Sequence, residues 1–289
     1  MLRAGIDAGR SSKGVFAVAG VAFGYDNALK ANRKWERLMD GRVFHMTDLN
    51  ARKRDFSGIS DDEVSVVMKG MVEIIRSYAS YIVTVSCADD LITEPMPKEA
   101  NRGRVSEEML NLLRSPYGFM CHMCMYGLGR FASQRRSAKD SISFILESGD
   151  EGQKGLIRFM RYIEGTQEAD VLRDRYSYGR LFTVQKHEME GIFHAADFIA
   201  WEWGRHVERH SEGKAMRRSL STLVGNNRTI KGDLGLTLEG ENRFFFRHYD
   251  ERNMDRYVAA MRRVIEARST VDVDHALAQW DASRLKSSD

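Results

Sequence analysis

Leu2-Arg3-Ala4-Gly5-Ile6-Asp7-Ala8, the turn Gly9-Arg10-Ser11-Ser12-Lys13-Gly14, and Val15-Phe16-Ala17-Val18-Ala19-Gly20-Val21-Ala22-Phe23 form the stretch that decides the fold. Two nearly all-apolar runs joined by glycine, serine and charged residues read as consecutive strands with a turn between them. Strands apolar at almost every position belong to a sheet covered on both faces. A helix is expected next over residues 25–39, then a short extended piece, Arg42-Val43-Phe44-His45-Met46-Thr47-Asp48-Leu49. Within Asp61–Ala79, Val64, Val67, Met68, Met71, Ile74, Ile75 and Tyr78 recur at helical spacing, and Ser60 and Glu63 stand in front at capping-box spacing.

Farther along, Tyr81–Cys87 reads as a strand, residues 106–136 as a long helical region and Ile142–Leu146 as another strand. A helix over residues 152–165 and a short strand near Leu181–Gln185 follow. Strands first in a hairpin and then alternating with helices make an α/β pattern on a mixed sheet. From residue 208 the character changes, with polar turns at Gly225-Asn226-Asn227, an aromatic strand at Phe244-Phe245-Phe246 and a helix near Met254–Ala267. The expected organisation is a main domain over 1–207 and a C-terminal α+β appendage or subdomain over 208–289.

The chain of 289 residues is 43% hydrophobic and 29% charged, as ordinary globular proteins are. It shows neither a leader-like apolar run after Met1 nor a stretch fit to span a membrane, and Cys87, Cys121 and Cys124 form no disulfide framework. These features point to the cytoplasm and away from membranes. The net charge of +3 does not by itself imply nucleic acid. The basic knots Arg52-Lys53-Arg54, Arg130 through Lys139 (with Arg135 and Arg136) and Arg217-Arg218 could each contact phosphate or line a solvated face.

Gly191-Ile192-Phe193-His194-Ala195-Ala196-Asp197-Phe198-Ile199-Ala200-Trp201-Glu202-Trp203 reads as a helix apolar around nearly its whole circumference. Asp197 sits in its middle, and a carboxylate there needs a partner to offset its desolvation. A cap on a neighbouring helix, an arginine or a metal ion would serve. Asp7 and Glu147 end strands, and the functional crevice of an open α/β sheet lies at the carboxyl ends of its strands. Carboxylates converging there suit hard divalent cations such as Mg²⁺ or Mn²⁺, and paired ions promote phosphodiester cleavage.

The arrangement resembles the ribonuclease H-like superfamily and, more narrowly, the domain-of-unknown-function 3800 family of bacterial and phage-associated proteins. Asp7-Ala8-Gly9 stands where that family has a strand running into Asp-Glu-Ser-Gly, and Phe44–Leu49 matches its short His-containing segment. Glu147-Ser148-Gly149 matches a second strand-end acid, and Ala195-Ala196-Asp197-Phe198-Ile199-Ala200 matches its Ala-Asp-Leu-Ile-Ala helix motif. The chain departs from the pattern at Ala8, where an acid is usual, and at Glu147, where Asp is usual. The resemblance implies a ribonuclease H-like fold and a metal-dependent nuclease or related phosphodiester-processing activity. Asp7, Glu147 and Asp197 would be the ligands. Asp89, Asp150 and His45 are further candidates for a ligand or proton-transfer role, and the knots at 52–54 and 130–139 would steer nucleic acid. His45 serves equally as a metal ligand, a general base, a contact to phosphate, or a half-buried ring bonded to backbone.

Two other classes compete. A non-catalytic nucleic-acid-binding or regulatory member would account for Ala8. Gly5-Ile6-Asp7-Ala8-Gly9-Arg10-Ser11-Ser12 also looks like the first phosphate loop of the sugar-kinase and actin superfamily, although Glu147–Gly152 is a poor second loop and the chain has no Gly-Gly pair. Gly127-Leu128-Gly129 falls inside a helical stretch and fails as a dinucleotide fingerprint. Cys121-His122-Met123-Cys124 has no second half to complete a zinc site and reads as buried helix.

Overall fold

The computed structural model describes residues 1–93, 112, 116–135, 141–149, 153–165, 173–174, 177–225, 228–231, 237–240, 243–250 and 253–254. The opening stretch forms strands β1 (Leu2–Arg10) and β2 (Val15–Gly24), followed by helix α1 (Tyr25–Met39). A short helix α2 (Met46–Ala51), helix α3 (Asp61–Tyr78), strand β3 (Ala79–Ala88) and the short α4 (Asp89–Thr93) come next. Then follow α5 (Pro116–Arg135), β4 (Ile142–Glu147), α6 (Gln153–Gly165), β5 (Tyr178–Val184), α7 (Ala195–Ser211) and α8 (Arg218–Val224). Strands β6 (Arg228–Lys231), β7 (Thr237–Gly240) and β8 (Phe244–Tyr249) complete the order.

The eight strands among the described residues belong to one sheet, in the order β5-β4-β1-β2-β3-β8-β7-β6. β1, β2 and β3 form an antiparallel meander, while β4 lies parallel to β1 and β5 parallel to β4. A three-stranded meander extended on the β1 side by two parallel crossover strands, with helices on both faces, is the ribonuclease H-like architecture. The C-terminal portion lengthens this sheet on its other side. There β8 pairs parallel to β3, with Ile82 opposite Phe244 and Val83 opposite Phe245, and β7 and β6 follow antiparallel.

Alternation along β1 separates two cores. Leu2, Ala4 and Ile6 point to the layer containing α5 and α6, where Phe119, Met120, Cys124, Leu128, Phe159 and Met160 are buried. Arg3, Gly5, Asp7 and Gly9 point to the opposite layer, made by α1, α2, α3, α7 and α8, with Trp35, Phe44, Met71, Phe198, Ile199 and Leu223 inside. Every residue of β2 from Val15 to Phe23 is buried, as its uninterrupted apolar run predicts for a central strand.

Local signals act as expected in most places. Ser60 and Glu63 form a reciprocal capping box at the start of α3. Gly127 allows α5 to approach the sheet, since a Cβ there would stand 2.8 Å from Val83 Cγ1. His122 is fully buried, its ring edge-on to Phe159 at 5.2 Å, and burial pushes its pKa down to about 3. Cys124 Sγ donates to the Val83 carbonyl at 3.2 Å. The Cys121–Cys124 segment is therefore buried helix. One expectation needs correcting: the extended piece at Arg42–Leu49 stops at His45, and Met46 begins α2. His45 has extended backbone (φ −144°, ψ 121°), and its carbonyl accepts the amides of Asp48 and Leu49, which starts the turn. The helix expected near Met254–Ala267 lies almost wholly outside the described residues.

Candidate functional site

β1 and β4 run side by side, and their register pairs Ile6 with Leu146. One residue farther on, Asp7 and Glu147 stand on neighbouring parallel strands about 4.8 Å apart. Ile6 and Leu146 face the α5 side, so Asp7 and Glu147 face the α7 side. Asp7 Oδ1 accepts the amide of Ala8 at 2.8 Å. The two strand-end acids that the sequence singles out are thus neighbours on one face, at the carboxyl ends of parallel strands.

α7 crosses this face along β1. A Cβ on Gly5 would collide with Phe193 at 2.6 Å, and one on Gly9 would touch Ala200 at 3.8 Å. Gly5 and Gly9 are the tracks on which the segment rides, and Asp197 lies between its two contacts as Asp7 lies between the two glycines. The helix motif and the first strand-end acid are therefore level with each other.

The Asp197 carboxylate itself is turned to α2. Its Oδ2 accepts the Met46 amide at 3.0 Å and lies 3.1 Å from His45 Nδ1. Met46 is the first residue of α2, so the carboxylate caps that helix at the end where its dipole favours negative charge. Of the partners open to Asp197 in the sequence, the structure shows a cap on a neighbouring helix, with an imidazole beside it. The two motifs most specific to the family resemblance, Phe44–Leu49 and Ala195–Ala200, are thereby one contact.

Asp197 is 6% exposed at its side chain and His45 is 36% exposed. The buried carboxylate holds the inner edge of a ring whose outer edge reaches the surface. Thr47 Oγ1 lies 3.2 Å from the same Nδ1. With the proton on Nδ1, both oxygens can accept it and Nε2 keeps the lone pair. A carboxylate-oriented imidazole of this kind suits proton transfer.

The remaining candidates sit elsewhere. Asp89 begins α4 beyond β3, where its Oδ1 is 3.4 Å from Arg10 Nε and its amide donates to Gly14 at 2.8 Å. That places it at the tip of the hairpin, two strands over from β1 and away from Asp7. Asp150, Arg136 and Lys139 lie outside the described residues, as does the side chain of Arg135. Arg52, Lys53 and Arg54 are exposed just after α2, with Arg52 paired to Asp61 and Arg54 Nη1 3.4 Å from Asp48. This knot follows His45 by one short helix.

The fit of a divalent ion follows from these positions. Among the described residues no three His, Cys, Asp or Glu side chains are grouped so as to hold a metal. Asp7 and Glu147 supply a pair of oxygen donors, and Mg²⁺ commonly takes one or two carboxylates and retains waters. Carboxylate oxygens of this kind are the donors Mg²⁺ or Mn²⁺ takes, and of the three acids that the sequence singles out, Asp197 has its Oδ2 engaged by the Met46 amide and the His45 ring.

The second half of α7 holds a cluster that sequence reasoning missed. Glu208 Oε1 accepts the Lys13 amide at 2.8 Å, and Arg205 Nη1 donates to Glu208 Oε2 at 3.0 Å and to Ser12 Oγ at 2.9 Å. Burial alone would raise the Glu208 pKa, but hydrogen bonds from Ser11, Lys13 and Arg205 outweigh it and hold it low. This clamp sets a carboxylate on the Ser11–Gly14 turn, where the kinase reading requires a phosphate. For Glu202 the available signal was its place in the apolar run Gly191–Trp203, since an acid there must be paired; Glu208 lies among Arg205, His206, Arg209 and His210, where the sequence carries no such signal.

No protein-family model matches the chain, and no curated protein does. Among solved structures the chain is similar to one in the PCNA:RNase HII complex from Archaeoglobus fulgidus, with 17% identity over 76% of this chain and 85% of that one and a TM-score of 0.37. Strand order and direction are those of the ribonuclease H-like fold. Among the described residues no helix is long and apolar enough to cross a membrane.

Proposed function

We propose that this protein is a member of the domain-of-unknown-function 3800 family and processes phosphodiester bonds of nucleic acid with the help of a divalent cation. The observation that carries the reading is the position of Asp7 and Glu147 one residue beyond the Ile6–Leu146 pair, at the carboxyl ends of β1 and β4, beside a helix whose Asp197 contacts His45. In this reading Asp7 and Glu147 hold Mg²⁺ or Mn²⁺. When bound, the ion lowers the pKa of water and offsets charge on phosphate oxygens. His45 Nε2 takes the proton of the attacking water as the oxygen bonds to phosphorus and the leaving P–O bond breaks. Asp197 keeps the ring in place and stabilises the imidazolium.

The test is cleavage of single-stranded, duplex and hybrid substrates with Mn²⁺, run beside thermal melts with and without the ion. Wild type is expected to cleave and to melt higher with Mn²⁺, and Asp7→Asn and Glu147→Gln are expected to lose both effects. Cleavage that survives both substitutions refutes the site, and a melt indifferent to Mg²⁺ and Mn²⁺ refutes the cation. A second reading is favoured by a specific observation: Ala8 lacks a carboxylate, and Asp197 is committed to α2. It is a non-catalytic nucleic-acid-binding member, for which strand binding without cleavage is the expected result.

A further inference from the structure

The sequence flags Arg217-Arg218 as a basic knot, and the structure places it on the wall of a groove some distance from Asp7 and Glu147. The groove, ≈ 610 Å³, runs between α3 and the corner where α7 passes into α8. That volume lies in the range of ligand pockets. Val64, Met68 and Val72, one stripe of α3, form an apolar floor. Lys69, Arg209, Arg217 and Arg218 line it with Glu73, and Ser65, Ser219 and Thr222 add hydroxyls. Lys69 Nζ lies 4.0 Å from Glu73 and Arg217 is paired with Glu202, so four cations stand against two carboxylates and leave an excess of positive charge.

One of these cations is rigidly mounted. Arg217 Nε lies 3.2 and 3.3 Å from the two oxygens of Glu202, whose side chain is fully buried, and the guanidinium stacks 4.7 Å over the Trp201 ring. Burial raises the Glu202 pKa, with Arg217 opposing that shift. A guanidinium fixed by a buried carboxylate and an aromatic face needs little further ordering to meet an anion. Lys69 and Arg218 are exposed beside it.

We propose that this groove holds the backbone of an unpaired nucleic-acid strand. The cations match the phosphates along one edge of a strand, and Val64, Met68 and Val72 offer apolar contact, rather than an aromatic stacking platform, to the base faces that an unpaired strand exposes along the other. A duplex presents mainly phosphates and leaves the Val64–Met68–Val72 floor without a partner. Arginine, lysine, serine and threonine are the side chains that usually contact phosphate. Arg209 lies twelve residues beyond Asp197 on α7, about 18 Å along the helix. The inference rests on the reading of the protein as one that acts on nucleic acid.

Fluorescence anisotropy of a labelled oligothymidylate in EDTA, across a salt series, tests it with the full chain. Lys69→Ala combined with Arg218→Ala is expected to weaken binding by about tenfold and to flatten the salt dependence by about 1.4, at about 0.7 per single-strand phosphate contact. Both residues are exposed, and an unchanged melting temperature will show that the variant is folded. Affinity and slope equal to wild type would overturn the proposal. So would an absence of oligothymidylate binding, or displacement of the strand by polyglutamate at equal charge concentration, which marks an acidic-peptide site. Asp7→Asn separates the two readings. Strand binding lost only in the groove variant, in a protein that never cleaves, supports the groove and fails the nuclease. Cleavage lost in Asp7→Asn with binding indifferent to the groove variant supports the nuclease and fails the groove.

Discussion

Asp197 Oδ2 takes both the buried Met46 amide and the His45 ring, and the two debts can be separated by substitution. Asp197→Asn keeps an oxygen for the amide and removes the charge, so it is expected to lower stability by about 1 kcal/mol. Asp197→Ala leaves the buried N–H unsatisfied and should cost about 2–3 kcal/mol. Urea denaturation of the two variants checks the difference, and equal losses would show that charge rather than the hydrogen bond dominates. Adding His45→Ala completes a double-mutant cycle whose coupling to Asp197 is expected near 1 kcal/mol. The sequence showed that Asp197 needed a partner, because its neighbours along the helix are apolar. Which partner it found was not legible, because Met46 contributes a backbone amide, a group every residue but proline carries.

At the scale of elements, the approach of α7 to β1 depends on side chains that are absent. Gly5→Ala puts a Cβ 2.6 Å from Phe193 Cβ and 2.9 Å from its carbonyl oxygen, which the strand cannot relieve without shifting the Gly191–His194 turn that leads into α7. A loss of about 2 kcal/mol is expected, whereas Gly24→Ala, which meets nothing within 4 Å, is the matched control. Chemical denaturation midpoints of the pair report it, and an unaltered midpoint for Gly5→Ala would mean that the segment adjusts freely. Ser60→Ala removes the hydroxyl that accepts the Glu63 amide, while the Glu63 carboxylate keeps the backbone N–H of residue 60, and should cost about 1 kcal/mol on the same assay. Strands and long helices were legible because their periodicity is local. α2 was not: His45 starts it with an extended backbone, and its amide cap comes from a residue 151 positions away.

Across the whole molecule, one buried and one half-buried histidine, His122 and His248, predict an acid limit to stability. Ser86 Oγ accepts Trp203 Nε1–H at 2.8 Å and lies 3.0 Å from His248 Nδ1, which ties α7 to β3 and β8. Burial lowers the His248 pKa to about 4, against a smaller opposing effect of Asp250. The unfolded chain therefore takes the proton first, near pH 6.5, and the folded chain only near pH 4. Stability is full above pH 6.5 and falls as the pH drops toward 4, by on the order of 3 kcal/mol from this residue. His122, held near 3, extends the loss to lower pH. Melting temperatures across this window should decline in wild type and decline less in His248→Gln. A parallel decline in both would assign the effect to other groups.

The order of elements, the central all-apolar strands, the capping box and the two strand-end acids were determined by the sequence alone, since each depends on spacing along the chain or on burial of a continuous apolar run. The meeting of those features was decided by the tertiary structure. Strand register set Asp7 beside Glu147, and glycine-permitted packing laid α7 along β1. The register of β8 against β3 drew the aromatic run of residues 244–246 into the main sheet. The groove of Lys69, Arg209, Arg217 and Arg218 draws on residues up to 158 positions apart, from Val64 to Thr222. Local periodicity carries no information about contacts of that range, because they follow from how whole layers pack.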